Sequence, residues 1–260
     1  MKINDKAVSE AIGFVLILGI VISGIGLVTL YGYPVLVKEQ SNTDVKNMER
    51  AMIVIQNDMK SLCYKNVPYK ETSLQVSGGT LEVIDAGDST RNVTITSTSG
   101  YDSGLLELGE LHYRSDRGTE SIILENGAVV MRQEDATGSA MLAEPRWFCD
   151  VDTTTDPPTK TFVIYLMEID ADEPMAKSGM TTVKMKRLDA LSDPPIPNPG
   201  TVKVTYNDTS EECSTAWKNY LTSTVGMSVS ADPGDPEGTY TLPDVDKLVI
   251  KRYSIQILGI

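Results

Sequence analysis

The sequence predicts an α+β fold: a long N-terminal helix, apolar first and amphipathic afterwards, followed by a β-rich, mostly antiparallel head. Three observations predict it. The 27 residues from Ala11 to Val37 carry no charge. Residues 45–62 carry one apolar stripe at helical spacing. Beyond residue 65, short alternating apolar runs end in Gly, Pro, Asn and Asp turn signals.

The uncharged run comes first. As a helix it would extend about 40 Å, more than the roughly 30 Å of a bilayer's hydrocarbon core. Secretory signals have shorter apolar regions, about 7–15 residues, and end in small residues. This run ends instead in Tyr31-Gly32-Tyr33-Pro34, which argues for an anchor that is kept. Lys2 and Lys6 precede it, and the positive-inside tendency leaves that end in the cytoplasm with residues 38–260 outside. Gly19, Ser23 and Gly26 fall at spacings of 4 and 3 along one face, a surface on which neighbouring helices approach closely in lipid.

Val45, Met48, Met52, Ile55, Met59 and Leu62 follow at spacings of 3 and 4, with Lys46, Glu49, Arg50, Asp58 and Lys60 off the stripe. No Gly or Pro interrupts residues 35–65, so the apolar helix is expected to continue into the amphipathic one as a rod of about 55 residues, bent at Pro34.

In the head, residues 65–260, "SLQVSGGTLEV" predicts two strands around a Ser77-Gly78-Gly79 turn, and "SIILENGAVVM" a hairpin turning at Asn126-Gly127. "TFVIYLMEI" (161–169) is apolar on both faces and predicts a central strand; "TTVKMKRL" (181–188) and "KLVIKRYSIQIL" (247–258) predict two more. "STAWKNYLTSTVG" predicts a helix capped by Ser214 and closed by Gly226. The Thr- and Pro-rich stretches 152–159, 193–200 and 232–237 read as exposed loops.

Charge and chemistry bound the function. The net charge is −13, with residues 1–64 neutral and residues 65–260 holding 17 cations against 30 anions. So acidic a head argues against a nucleic-acid partner. His112 is the single histidine, predicted on a strand as a packed or solvated side chain; no metal set and no cofactor motif accompanies it. The acidic pairs Asp150/Asp152 and Glu211/Glu212 read as solvated charge. No catalytic constellation emerges, and the chain is not expected to be an enzyme. Three cysteines, Cys63, Cys149 and Cys213, allow three disulfide pairings, of which Cys149–Cys213 is favoured over the alternatives. Asn92-Val93-Thr94 and Asn207-Asp208-Thr209 are glycosylation triplets expected on exposed turns.

A polar leader ending in "DKA", then "VSEAIGFVLILGIV", then a long helix, resembles the N-terminus of archaeal type IV pilins and their prepilin-like relatives, which carry class III signal peptides. "GELHYRSDRGTESIILENGAVVMRQ" is similar to archaeal secreted proteins with the same N-terminus. The resemblance implies a leader at 1–7, cut by a prepilin peptidase between Ala7 and Val8, and a retained spine helix at 8–64. Its 11–37 portion would sit in the membrane before assembly and in the core of a homopolymeric filament afterwards. Glu10 would then be the third mature residue, where bacterial relatives carry glutamate at the fifth; a neighbouring subunit's freed amino group would be its partner. Two functions follow: a structural subunit of a pilus-like surface filament serving adhesion or as an appendage, or a single-pass anchored, exported binding module that does not polymerise.

Overall fold

A computed structural model of the chain describes residues 5–65, 67–116, 120–133 and 138–260; for residues 5–11, 189, 190 and 192 the description is of the backbone. The chain divides into two compact units, Met1–Asp44 and Val45–Ile260.

The first unit is helical. Helix α1 (Asp5–Leu27) passes through a π turn, Val28–Gly32, into α2 (Tyr33–Tyr64). In the π turn the Tyr33 N–H donates to the Val28 carbonyl, five residues back. The cause stands one residue further on. Pro34 has no N–H to give, and its ring excludes the carbonyl four residues earlier, so the turn before it widens. The irregularity expected at Pro34 is therefore taken up just ahead of it.

The second unit is the head together with the C-terminal part of α2. The six stripe residues from Val45 to Leu62 are all buried, none more than 5% exposed. They pack on Leu74, Leu81, Tyr113, Ile122, Met185 and Ile255 of the sheet. Its strands are β1 (Tyr69–Ile84), β2 (Arg91–Ser97), β3 (Leu106–Glu107), β4 (Glu110–Ser115), β5 (Glu120–Glu125), β6 (Ala128–Gln133), β7 (Ser139–Ala143), β8 (Trp147–Asp152), β9 (Thr159–Ala171), β10 (Met175–Ser192), β11 (Ile196–Asp208), β12 (Ser228–Val229) and β13 (Thr239–Gly259). The main path runs β3-β2-β11-β13-β10-β1-β4-β5-β6-β7.

Strand β13 organises the sheet. One edge pairs antiparallel with β11 and then β10, while the other pairs with β9 in parallel, Lys247 opposite Thr161 through Ile257 opposite Ala171. The fold is thus mostly antiparallel with this one parallel pair. Strand β9 lies between β8 and β13, and its two faces enter different apolar clusters, Met167 and Ile169 the one under α2 and Phe162, Ile164 and Leu166 the one on the opposite face.

Three sequence expectations are corrected. Ser77-Gly78-Gly79 is a bulge inside β1, where the register against β10 shifts between Val76 and Leu81. Glycine is needed there because a Cβ on Gly79 would lie 2.5 Å from the Tyr113 ring. Ser214 is the first helical residue of α3 (Ser214–Asn219), not its cap; Cys213 precedes it, and the Asp208 carboxylate takes the Cys213 N–H at 2.7 Å. Residues 196–200 belong to β11, whose irregular pairing around Pro197 and Gly200 accommodates the prolines. The Asn126-Gly127 hairpin forms as expected, both residues at positive φ (44° and 71°). Its tip is buried, and Asn126 Oδ1 accepts the Met167 N–H at 2.9 Å.

Candidate functional site

The apolar helix is the candidate site. Seventeen large apolar side chains from Ile12 to Leu36 are exposed, Phe14 at 67%, Ile20 at 72% and Leu30 at 71% among them. Fully burying one such side chain is worth about 1.5–3 kcal/mol, and these are 45–72% exposed, so this surface left in water forgoes on the order of 15–30 kcal/mol. A domain's whole stability is about 5–15 kcal/mol. Such a surface is suited to lipid or to packing with other helices. This is the one helix described that is long and apolar enough to cross a membrane, with mean hydropathy 2.6 over its best window. Gly19, Ser23 and Gly26 lie on it as predicted, and a Cβ added at Gly19 or Gly26 would meet nothing within 4 Å. Ala7, Val8 and Glu10 fall within the backbone of α1, their side chains outside the described residues; residues 1–4 lie outside them altogether.

Beneath α3, on the face of the sheet opposite α2, the fold builds a buried ionic cluster that the sequence reading missed. Arg91, 2% exposed, begins β2, and in the β2–β11 register it stands opposite Asp208. Its guanidinium also meets the carboxylates of Glu110, Glu125 and Glu212, with Arg91 Nη2 to Glu212 Oε2 at 2.6 Å. Glu125 Oε1 accepts from Tyr206 Oη at 2.7 Å and Trp217 Nε1 at 2.6 Å. The Asp208 carboxylate ties down the turn into α3 through Ser210 and Cys213. Four carboxylates on Arg91, one of them (Glu212) shared with Arg132, leave an excess of negative charge. Burial raises the Glu125 carboxyl above its ordinary value despite Arg91. For Arg91 itself burial works downward, and Glu125 and Asp208 more than offset it.

His112 joins this cluster from β4, fully buried, its Nδ1 3.1 Å from Glu110 Oε1. Burial lowers its pKa to about 4, so the ring is neutral at pH 7. It is the packed strand histidine of the sequence expectation. Glu212 departs from expectation: it pairs with Arg91 and, at 3.7 Å, with Arg132, whereas Asp150, Asp152 and Glu211 are exposed. The signal for the cluster lay in strand phase. In "RNVTITS", Arg91 shares a face with the inward Val93 and Ile95, and Asp208 falls in step with Val202, Val204 and Tyr206.

The Cys149–Cys213 disulfide is not formed. All three cysteines are free thiols, Cys213 fully buried ahead of α3 and Cys149 half-buried on β8. They serve as small apolar side chains, and burial raises each thiol, Cys63 to about 12, so none is a reactive thiolate. The glycosylation triplets lie not on turns but on β2 and the end of β11. Among the described residues no group of His, Cys, Asp and Glu is placed to hold a metal ion. At the end of α2, Arg146 stacks over Tyr64 and Tyr165 at 4.9 and 4.7 Å from the ring centres.

Comparison with curated proteins and with solved structures finds no match. A family model does match, over residues 6–258, which takes in both the apolar helix and the head. The chain belongs to the family of unknown function DUF7289.

Proposed function

We propose that the chain is a structural subunit of a type IV pilus-like filament on an archaeal cell surface. Copies associate through α1 as the filament core, and the β head faces outward for adhesion or as an appendage. The observation that carries this reading is the uncovered apolar surface of residues 12–36. It is followed, on the same run of helix, by a stripe that is fully buried on the head. A tether needs only the first of these; a spine that must present a head at a fixed place on its own helix needs both. The family model spans helix and head together, so the two occur together across the family. The membrane holds the subunit before assembly, and a prepilin peptidase would release Val8 as the new N-terminus.

The test combines N-terminal mass spectrometry of surface material with electron microscopy of sheared cells. Filaments made of chains beginning at Val8 are expected. Gly19→Leu with Gly26→Leu keeps α1 apolar but removes close backbone approach, so subunits should accumulate in the membrane with few or no filaments. Glu10→Gln should give a milder loss. Intact Met1 in surface material, with monomers in the membrane and normal behaviour of both variants, would replace this reading with the anchored, non-polymerising binding module.

A further inference from the structure

Strands β2 and β11 place Asn92 directly opposite Asn207, and each opens an Asn-X-Thr triplet. Alternation fixes where the pair faces. Arg91 opposite Asp208 and Val93 opposite Tyr206 are buried on either side of it. The two asparagines between them therefore stand on the opposite, outward face of the sheet. Asn207 is exposed and Asn92 half-buried.

We propose that this asparagine pair is a single N-glycan acceptor site: one oligosaccharide per chain, carried by Asn207, with Asn92 the competing position. The proposal rests on the reading that residues 65–260 lie outside the cytoplasm. The donor is an oligosaccharide linked to a polyprenyl phosphate carrier. Asn Nδ2 attacks the anomeric carbon, a C–N bond forms and the C–O bond to the carrier phosphate breaks. The phosphate departs with the bonding pair, and the amide nitrogen yields one proton to a base of the transferase.

Competition follows from register. Directly opposed residues have Cβ atoms about 4.5–5.5 Å apart, too close for two glycosylated amides to stand side by side on one sheet face. The preference for Asn207 follows from its flanks. Asn92 is hemmed by Asn207 on one side and by Glu107 of β3 on the other. Asn207 lies beyond the paired start of β13, where Thr239 meets Thr205.

The test is intact-mass and glycopeptide spectrometry of the full chain from its own cells, as wild type, Thr209→Ala and Thr94→Ala, with protease shaving of intact cells alongside. One glycan per chain is expected, on Asn207. Thr209→Ala should empty Asn207 and raise Asn92 occupancy severalfold, while Thr94→Ala should match wild type. Chains bearing two glycans, or unchanged Asn92 occupancy in Thr209→Ala, would overturn the proposal. Unmodified chains that shaving cleaves would overturn it while leaving the export reading intact. Unmodified chains that shaving cannot reach would overturn both.

Discussion

The two faces of the head's sheet are held by different physics. Under α2 the buried centre of the contact is apolar, with Gln56 the one buried polar side chain described between Val45 and Tyr64; at its rim Asp58, Lys60 and the Leu62 carbonyl make polar contacts to the head. Under α3 an apolar cluster built on Trp217, Phe162 and Tyr206 adjoins the Arg91 cluster, with its four carboxylates and a neutral histidine. The α2 face tolerates any well-shaped apolar filling, whereas the α3 face demands particular partners in particular places. A repeated helical stripe suffices for the first, and the second needs residues from β2, β4, β5, β11 and the turn before α3 to arrive together.

The largest expected effect lies in the ionic face. Arg91→Met keeps volume but strands buried carboxylates, and removing one partner of a buried ion pair costs about 3–5 kcal/mol. Chemical denaturation of a chain beginning at Ser41 should show that loss. Adding Glu125→Gln should recover part of it, because a neutral amide still accepts from Tyr206 and Trp217. If Arg91→Met alone cost less than about 1 kcal/mol, the contrast between the two faces would collapse.

On the apolar face the expected cost is smaller and of another kind. Met52 is fully buried, so Met52→Ala should cost roughly 3 kcal/mol through lost transfer energy and the cavity left behind. Met52→Leu should cost less than about 1.5 kcal/mol, because volume is kept. The same denaturation series reads both. An Arg91-sized loss from Met52→Leu would show that this face too depends on specific shape.

The unequal legibility of the two faces has the same origin. Val45 to Leu62 repeat with a period that local chemistry dictates, and the stripe could be read without knowing what it packs on. Strands announced by short apolar runs or a turn signal, such as β5, β6, β9 and the end of β13, were legible from local sequence as well. Ser77-Gly78-Gly79 was not, since a two-glycine turn and a two-glycine bulge look alike until the Tyr113 ring is in place. Nor was the Arg91 cluster, whose members are separated by up to 121 residues; only their strand phase hinted that charges would face inward. The cysteine pairing failed because sequence supplies no distances.

Acid should test the ionic face next. His112 has an ordinary pKa of 6.5 and a folded value of about 4, lowered by burial. The unfolded chain therefore binds the extra proton first. The stability this group contributes is complete above pH 6.5 and is lost as pH falls toward 4, by roughly 2 kcal/mol between pH 8 and pH 5. Glu125, raised by burial, has the opposite sign. Comparing pH profiles of wild type and His112→Gln isolates the histidine, and the variant's profile should be flatter by about that amount. Parallel profiles would mean that the ring is not held neutral.

The smallest expected effect sharpens the comparison most, because it asks whether the apolar face has any specificity of its own. Gln56 Nε2 donates to the Gly127 carbonyl at 2.6 Å and to the Glu144 carbonyl at 3.1 Å. It thereby fixes α2 against the buried hairpin tip and the segment ahead of β8. Gln56→Met fills the same space without the donor, and the Gly127 carbonyl is left in a buried place. A net hydrogen bond is worth about 0.5–1.5 kcal/mol, and a stranded buried acceptor adds to the loss. The total should be about 1–2 kcal/mol by denaturation. Hydrogen exchange should show a further, local sign: amides around Asn126 and Gly127 should open more readily than those of β9, which the variant leaves untouched. A neutral substitution with unchanged exchange would mean that shape alone governs the buried centre of this face, leaving its direction to the rim contacts of Asp58 and Lys60.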